Sequence, residues 1–212
     1  MITIDEARSH YRGSDASHDF DHVLRVLRLA ERIGEAEGAN MIVVRTAVLL
    51  HDVARGEERW SGVCHAQAGA SRARGILADH PSAMVDAVAD AIATHRFRGD
   101  AVPGTLEAQI LYDADKLDAI GAIGVARAYA VAGERGSQLW GGVPDGYGER
   151  QRIEGRDDEF DQDHTPVHEY VFKLARLKGT LFTETARRIG EERHAYMAGF
   201  FRRLEQEVAG EL

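Results

Sequence analysis

The stretch LLHDVARG, residues 49–56, closes an apolar run with a histidine and an aspartate side by side. Burying such groups unpaired costs roughly 2 kcal/mol or more each, so His51 and Asp52 need a common partner. Consecutive helical residues point about 100° apart. The pair therefore reaches one small object only near a helix end, with other helices closing around it, and a divalent cation is such an object. His22 falls on an inward stripe with Val26, Leu29 and Ile33, at helical spacing, and offers a third donor. A fourth comes from DADKLDAIGAIGVAR, where three aspartates interrupt an apolar pattern. Asp115 and Asp118 share a face with Leu111 and Ala122, Asp113 points elsewhere, and Asp115 is the expected ligand.

Two imidazoles and two carboxylates form a mixed nitrogen and oxygen set, which suits Mn²⁺, Fe²⁺, Co²⁺ or Zn²⁺ better than Ca²⁺. Four protein donors leave positions open on a six-coordinate ion for a water and a phosphate oxygen. The ion then acidifies the water and polarises the phosphorus together, so hydrolysis of a phosphoester or phosphoanhydride is the expected chemistry. Asp118, one turn from Asp115, is the candidate general base or water-orienting group; its bland alternative is a carboxylate that only supports its neighbours. Positive charge for the phosphate oxygens is expected from Arg25, Arg55, Lys173 and Lys178, with Arg55 and Lys173 in the lead. His18, four residues before His22, shares its face and is placed on the substrate side or as a partner that orients His22.

These residues need helices to carry them. Apolar positions recur at helical spacing almost throughout and strict alternation is scarce, which predicts an all-α fold. The expected helices cover roughly residues 4–11, 17–37, 41–56 with Asn40 as N-cap, 63–78, a stretch from Pro81 that aligns Val85, Val88, Ala89, Ile92 and His95, 105–132, 166–178 and 183–208. His51 and Asp52 then sit in the last turn of the third helix, ahead of Gly56. Residues 133–164, rich in glycine and then in acid, form a long insertion, either a lid or a solvated loop, before the C-terminal helical pair of residues 165–212.

The chain has 212 residues and a formal net charge of -9, enough length for one domain and the wrong sign for gripping long nucleic acid through its phosphates. Its single cysteine, Cys64, forms no internal disulfide and gives no sign of an oxidising compartment. No apolar stretch approaches the ~18 residues of a membrane span. A cytoplasmic protein with a small phosphate substrate and no membrane or long nucleic-acid partner is the expectation. The face of the last helix bearing Tyr196, Phe200, Phe201 and Leu204 suits a homodimer contact or a core seam.

The order His22, then His51 and Asp52, then Asp115 resembles the H...HD...D signature of the HD-domain metal-dependent phosphohydrolases. SHDFDHVLRV, LLHDVARG, LYDADKLDAIGAIGVAR and HEYVFKLARLKGTLFTETARRIGEERHAYMAGFF are similar to the YedJ/YpgQ-like branch and together span most of the chain. The resemblance implies an HD-like helical bundle over residues 1–212 with one divalent metal on His22, His51, Asp52 and Asp115. Mn²⁺ leads, with Fe²⁺, Co²⁺, Ni²⁺, Zn²⁺ or Mg²⁺ as alternatives. It implies a nucleotide substrate, and in this branch cleavage of a nucleoside triphosphate to a monophosphate and pyrophosphate. Other members act as 5'-nucleotidases or cyclic-nucleotide phosphodiesterases, and a catalytically silent nucleotide sensor is the alternative of another class. His65 and His95 resemble positions where some members carry extra catalytic histidines for a second metal or for phosphate. Arg55 stands where many members have a glycine and lysine.

Overall fold

The structure is a computed structural model that describes residues 2–11, 20–56, 62–96, 101–144, 146–147 and 164–212. His18, residues 17–19 at the expected start of the second helix, and most of the 133–164 insertion lie outside them. The described residues form nine α-helices and no strand: α1 Ile4–Ser9, α2 Phe20–Glu37, α3 Met41–Leu50, α4 His65–Ile76, α5 Ser82–Ala93, α6 Leu106–Asp118, α7 Gly121–Arg135, α8 Pro166–Phe172 and α9 Glu184–Val208. A 3-10 helix, Leu174–Thr180, follows α8. The all-α expectation holds. Among the described residues no helix is long and apolar enough to cross a membrane.

The chain divides into two compact units. The first comprises Met1–Lys116 and Leu181–Ala186. Its central element is α3, which buries Val43, Val44, Thr46, Ala47, Val48, Leu49 and Leu50 and so is apolar nearly all round, the mark of a helix enclosed by others. Helices α1, α2 and α5 pack on α3, and α4 packs on α5. Asn40 caps α3 as the sequence predicts, its Oδ1 accepting from the Ile42 and Val43 amides at 3.1 and 3.4 Å. Helix α2 turns His22 inward among Val23, Val26, Leu29, Ala30 and Ile33.

Helix α3 stops at Leu50, not at Gly56, so His51 is its C-cap and Asp52 lies beyond it. The last carbonyls of a helix lack intrahelical donors, and here they find others. Val48 O accepts from His51 Nδ1 at 2.7 Å, Leu49 O from the Tyr11 hydroxyl at 3.0 Å, and Leu50 O from the Val53 amide at 3.2 Å.

Asp113 points away from the cluster, as the sequence predicts. It is fully buried and accepts from the Phe182 amide at 2.8 Å and from the Thr183 amide and hydroxyl at 2.8 and 2.7 Å. Glu37 accepts from the Thr185 amide at 2.9 Å. Two carboxylates thus occupy the positive end of α9.

The second unit comprises Leu117–Thr180 and Arg187–Leu212, with α8 packed on α7 and on the 3-10 helix. The single helix predicted over 105–132 is two, α6 and α7. Gly121 opens α7 at φ 79°, a left-handed conformation that only glycine adopts cheaply. Arg193 donates to Leu117 O at 2.6 Å and Arg127 to Asp118 O at 3.5 Å, so two cations close the negative end of α6. A Cβ at Gly121 would lie 3.1 Å from Arg193 Cβ. Gly121→Ala is therefore expected to lower stability by about 1–2 kcal/mol, read as an earlier urea midpoint at unchanged slope; an unchanged midpoint refutes this account of the break.

The helix predicted over 166–178 likewise gives way to the 3-10 helix after Phe172. His168 is buried, with Nδ1 2.8 Å from Thr165 Oγ1. Phe201 is buried and stacks on Tyr170 at 4.3 Å, whereas Tyr196 stays 59% exposed. The face offered as a dimer contact is thus partly the core of its own unit.

Candidate metal centre

Three elements of the first unit converge. Helix α2 brings His22, the turn after α3 brings His51 and Asp52, and the last turn of α6 brings Asp115. His22 Nε2 lies 3.4 Å from His51 Nε2, 3.4 Å from Asp115 Oδ1 and 3.8 Å from Asp52 Oδ2. His51 Nε2 is 3.7 Å from the same Asp52 oxygen. Donors bound to one transition-metal ion at about 2.0–2.2 Å sit about 3–3.5 Å from one another, so the observed spacings are close to those of a ligand set.

The imidazoles are pre-set for this. His51 donates Nδ1–H to Val48 O, which leaves its Nε2 lone pair facing the cluster; a backbone carbonyl behind a ring is how metal-binding histidines are commonly oriented. His95 repeats the device, with Nδ1 2.6 Å from Ile92 O and Nε2 3.8 Å from Asp52 Oδ1. His65 Nε2 reaches the same oxygen at 3.7 Å. Asp52 therefore faces His22 and His51 with one oxygen and His65 and His95 with the other. Each of these two triads, His22–His51–Asp52 and Asp52–His65–His95, brings its donor atoms within 4.8 Å of one another, close enough to hold a metal ion.

Charge follows geometry. Burial pushes His51 down to about 4, so it is neutral and free to ligate at neutral pH. Burial alone would raise the Asp52 carboxyl, but His51, His95, Arg55 and His22 hold it well below the usual carboxylate range. Burial likewise opposes ionisation of Asp115, and the adjacent Lys116 ammonium, with His22 and His51, holds it well below that range too. Both carboxylates are charged at neutral pH. Side-chain exposure is 0% for His51, 3% for His22, 9% for Asp52 and 18% for Asp115, so among these four the approach from solvent is widest at Asp115.

Of the other expected site residues, Arg55 joins the cluster, its Nη1 2.9 and 3.0 Å from the two ring nitrogens of His65. Arg25 is half-buried on α2, one turn after His22. Asp118, Lys173 and Lys178 belong to the second unit. There Asp118 is buried against Arg127 at 3.3 Å, Lys173 pairs with Glu169 at 3.2 Å and Lys178 with Glu191 at 2.9 Å.

Lys116 is a site residue that the sequence pattern does not single out. It is 8% exposed, with Nζ 2.6 Å from Asp115 Oδ2 and 5.0 Å from the Tyr112 ring centre. The signal was available, since a lysine directly after the candidate ligand has an aromatic residue four positions back, one helical turn away. Asp115 thus turns Oδ1 to His22 and Oδ2 to Lys116.

The chain is similar to known proteins over most of its length. The HD domain family model matches residues 19–120, a span that contains His22, His51, Asp52, His65, His95 and Asp115. The chain is 33% identical to YpgQ of Bacillus subtilis over 199 residues, 92% of this chain and 86% of YpgQ. The crystal structure of YpgQ in complex with ADP is similar at a TM-score of 0.72 and 31% identity, covering 98% of this chain and 99% of that one. An HD-superfamily hydrolase from Bacillus thuringiensis is similar at a TM-score of 0.73 and 28% identity, covering 97% and 94%. The chain belongs to the HD-domain family of hydrolases.

Proposed function

We propose that this protein is a divalent-metal-dependent phosphohydrolase of small nucleotides, and that its preferred reaction splits a nucleoside triphosphate into a monophosphate and pyrophosphate. The observation that carries the reading is Asp52, ringed by four imidazoles of which His51 and His95 are locked by backbone carbonyls with Nε2 turned inward. The ADP complex of YpgQ supports a nucleotide ligand.

In this reading His22, His51, Asp52 and Asp115 hold one ion. Mn²⁺ leads because the donor set is half imidazole and half carboxylate. When bound, the ion supplies an acidified water and polarises the phosphorus. Lys116 fixes the carboxylate of Asp115 and spares the site part of its negative charge, which eases entry of an anionic substrate. Arg55 provides positive charge for the phosphate oxygens beside His65 and His95. These two imidazoles take the proton-handling role in preference to Asp118, whose carboxylate is engaged by Arg127.

The test is incubation with nucleoside tri-, di- and monophosphates and cyclic nucleotides in Mn²⁺, with pyrophosphate and orthophosphate measured separately. Pyrophosphate released from a triphosphate is the expected result. Orthophosphate from monophosphates would move the activity to a 5'-nucleotidase, turnover of cyclic nucleotides alone to a phosphodiesterase, and binding with no turnover to a sensor. The triad Asp52–His65–His95 favours one competing reading, a second cation with Asp52 as the bridge. Metal content after gel filtration separates them, at one ion per chain against two.

A further inference from the structure

We infer that Tyr11 is a positioning residue for the metal centre: its hydroxyl ends α3 at Leu50 and thereby turns two consecutive residues, His51 and Asp52, toward one point. The inference rests on the proposal that these residues hold a metal, and it gives α1 a role beyond packing.

In a continuing helix, adjacent side chains diverge by about 100°. Here His51 Nε2 and Asp52 Oδ2 come within 3.7 Å. At this step the hydrogen bonds shorten to three-residue spacing, from the His51 amide to Val48 O, the Val53 amide to Leu50 O and the Arg55 amide to Asp52 O, while His51 keeps helical dihedrals, and a carbonyl passed over by the tightened turn must be satisfied. In a continuing helix Leu49 O would receive the Val53 amide, four residues on. That amide goes to Leu50 O instead, while Leu49 O takes the Tyr11 hydroxyl at 3.0 Å, a donor 38 residues away in sequence. The tyrosine stands where the helix's own hydrogen bond would be.

The same side chain also grips the element that carries His22. The Tyr11 ring meets Phe20 edge to face at 5.2 Å, and Arg8, three residues earlier, places its guanidinium 4.4 Å from the Phe20 ring centre. Phe20 is the first residue of α2, two before His22. One residue thus touches both the start of α2 and the end of α3, and the spacing of His22 from His51 and Asp52 depends on how those two ends are held.

The decisive variant is Tyr11→Phe, which keeps the ring contact and removes only the hydroxyl. Mn²⁺ affinity is read by titration on wild type, Tyr11→Phe and Asp52→Ala at a temperature where far-UV dichroism shows all three folded. The ring signals of His22 and His51 are followed by NMR in the metal-free proteins. The expected result is Mn²⁺ binding about tenfold weaker in Tyr11→Phe, the scale of losing a group that orients a ligand, with shifted His51 signals before any metal is added. A tyrosine that served stability alone would lower the unfolding temperature and leave affinity and those signals unchanged; that outcome overturns the inference and leaves the metal site standing. If wild type binds no better than Asp52→Ala, the metal reading fails instead. The metal-free His51 signals then decide separately whether Tyr11 sets the turn: a shift upholds that part and identical signals overturn it.

Discussion

Asp52→Ala is expected to reduce phosphohydrolase turnover by three orders of magnitude or more, about 4 kcal/mol of barrier, with little loss of helix. The size of the effect follows from the position of this one carboxylate. Its Oδ2 lies 3.8 and 3.7 Å from His22 and His51, and its Oδ1 lies 3.7 and 3.8 Å from His65 and His95. Removal takes a charged donor from both sides of the centre at once. The fold should survive because His51 and His95 keep their bonds to Val48 O and Ile92 O, so truncation leaves rings whose Nδ1 protons remain satisfied. Turnover in Mn²⁺, metal content after dialysis and far-UV dichroism together check this. Wild-type turnover in the folded variant would remove Asp52 from the chemistry, and with it the proposed function.

Acid should weaken the metal-free protein through His51, by about 3 kcal/mol between pH 6.5 and pH 4. The ring has its ordinary value of 6.5 when the chain is unfolded and is pushed down to about 4 in the fold by burial, against the opposing charge of Asp52. As pH falls through this window the unfolded chain takes up a proton that the folded chain refuses, so the balance moves toward unfolding. The contribution is fully present above about pH 6.5 and gone below about pH 4. Other histidines titrate nearby, so the measurement is a difference. Urea midpoints of chelator-treated wild type and His51→Gln are compared from pH 7.5 to 4.5, and the variant should show the shallower slope. Equal slopes would mean that His51 is not held neutral by the fold. Saturating metal should steepen the wild-type slope, because ligation requires the same unprotonated ring.

Much of the scaffold of this site is readable in the chain because it depends on local pattern. The stripe through His22, Val26, Leu29 and Ile33 sets which way α2 faces, Asn40 caps α3, and a polar pair at the end of an apolar run has to find a partner. What escapes the sequence depends on residues far apart. The break after Asp118 is hidden because LDAIGAIGVAR stays apolar across it, and only the left-handed backbone of Gly121 with Arg127 and Arg193 on the freed carbonyls reveals it. The early end of α3 depends on Tyr11, 38 residues upstream. The buried place of His168 is hidden too, because its partner, Thr165, lies at the start of its own helix, and nothing in periodicity marks a histidine as self-capping. Asp113 lies off the face shared by Asp115 and Asp118. It points elsewhere, and its destination is the backbone at Phe182 and Thr183, some 70 residues later.

That last contact bears on how the chain is made. When Asp118 has left the ribosome, all six histidine and aspartate side chains of the metal cluster have been synthesised. The carboxylate of Asp113, two residues before Asp115 on the same helix, still lacks its three donors, because Phe182 and Thr183 have yet to be added. The helix that delivers Asp115 gains these three hydrogen bonds only once about sixty more residues have been added after Asp118. The donors of the cluster are thus all encoded well before the backbone amides that pair with the carboxylate beside it.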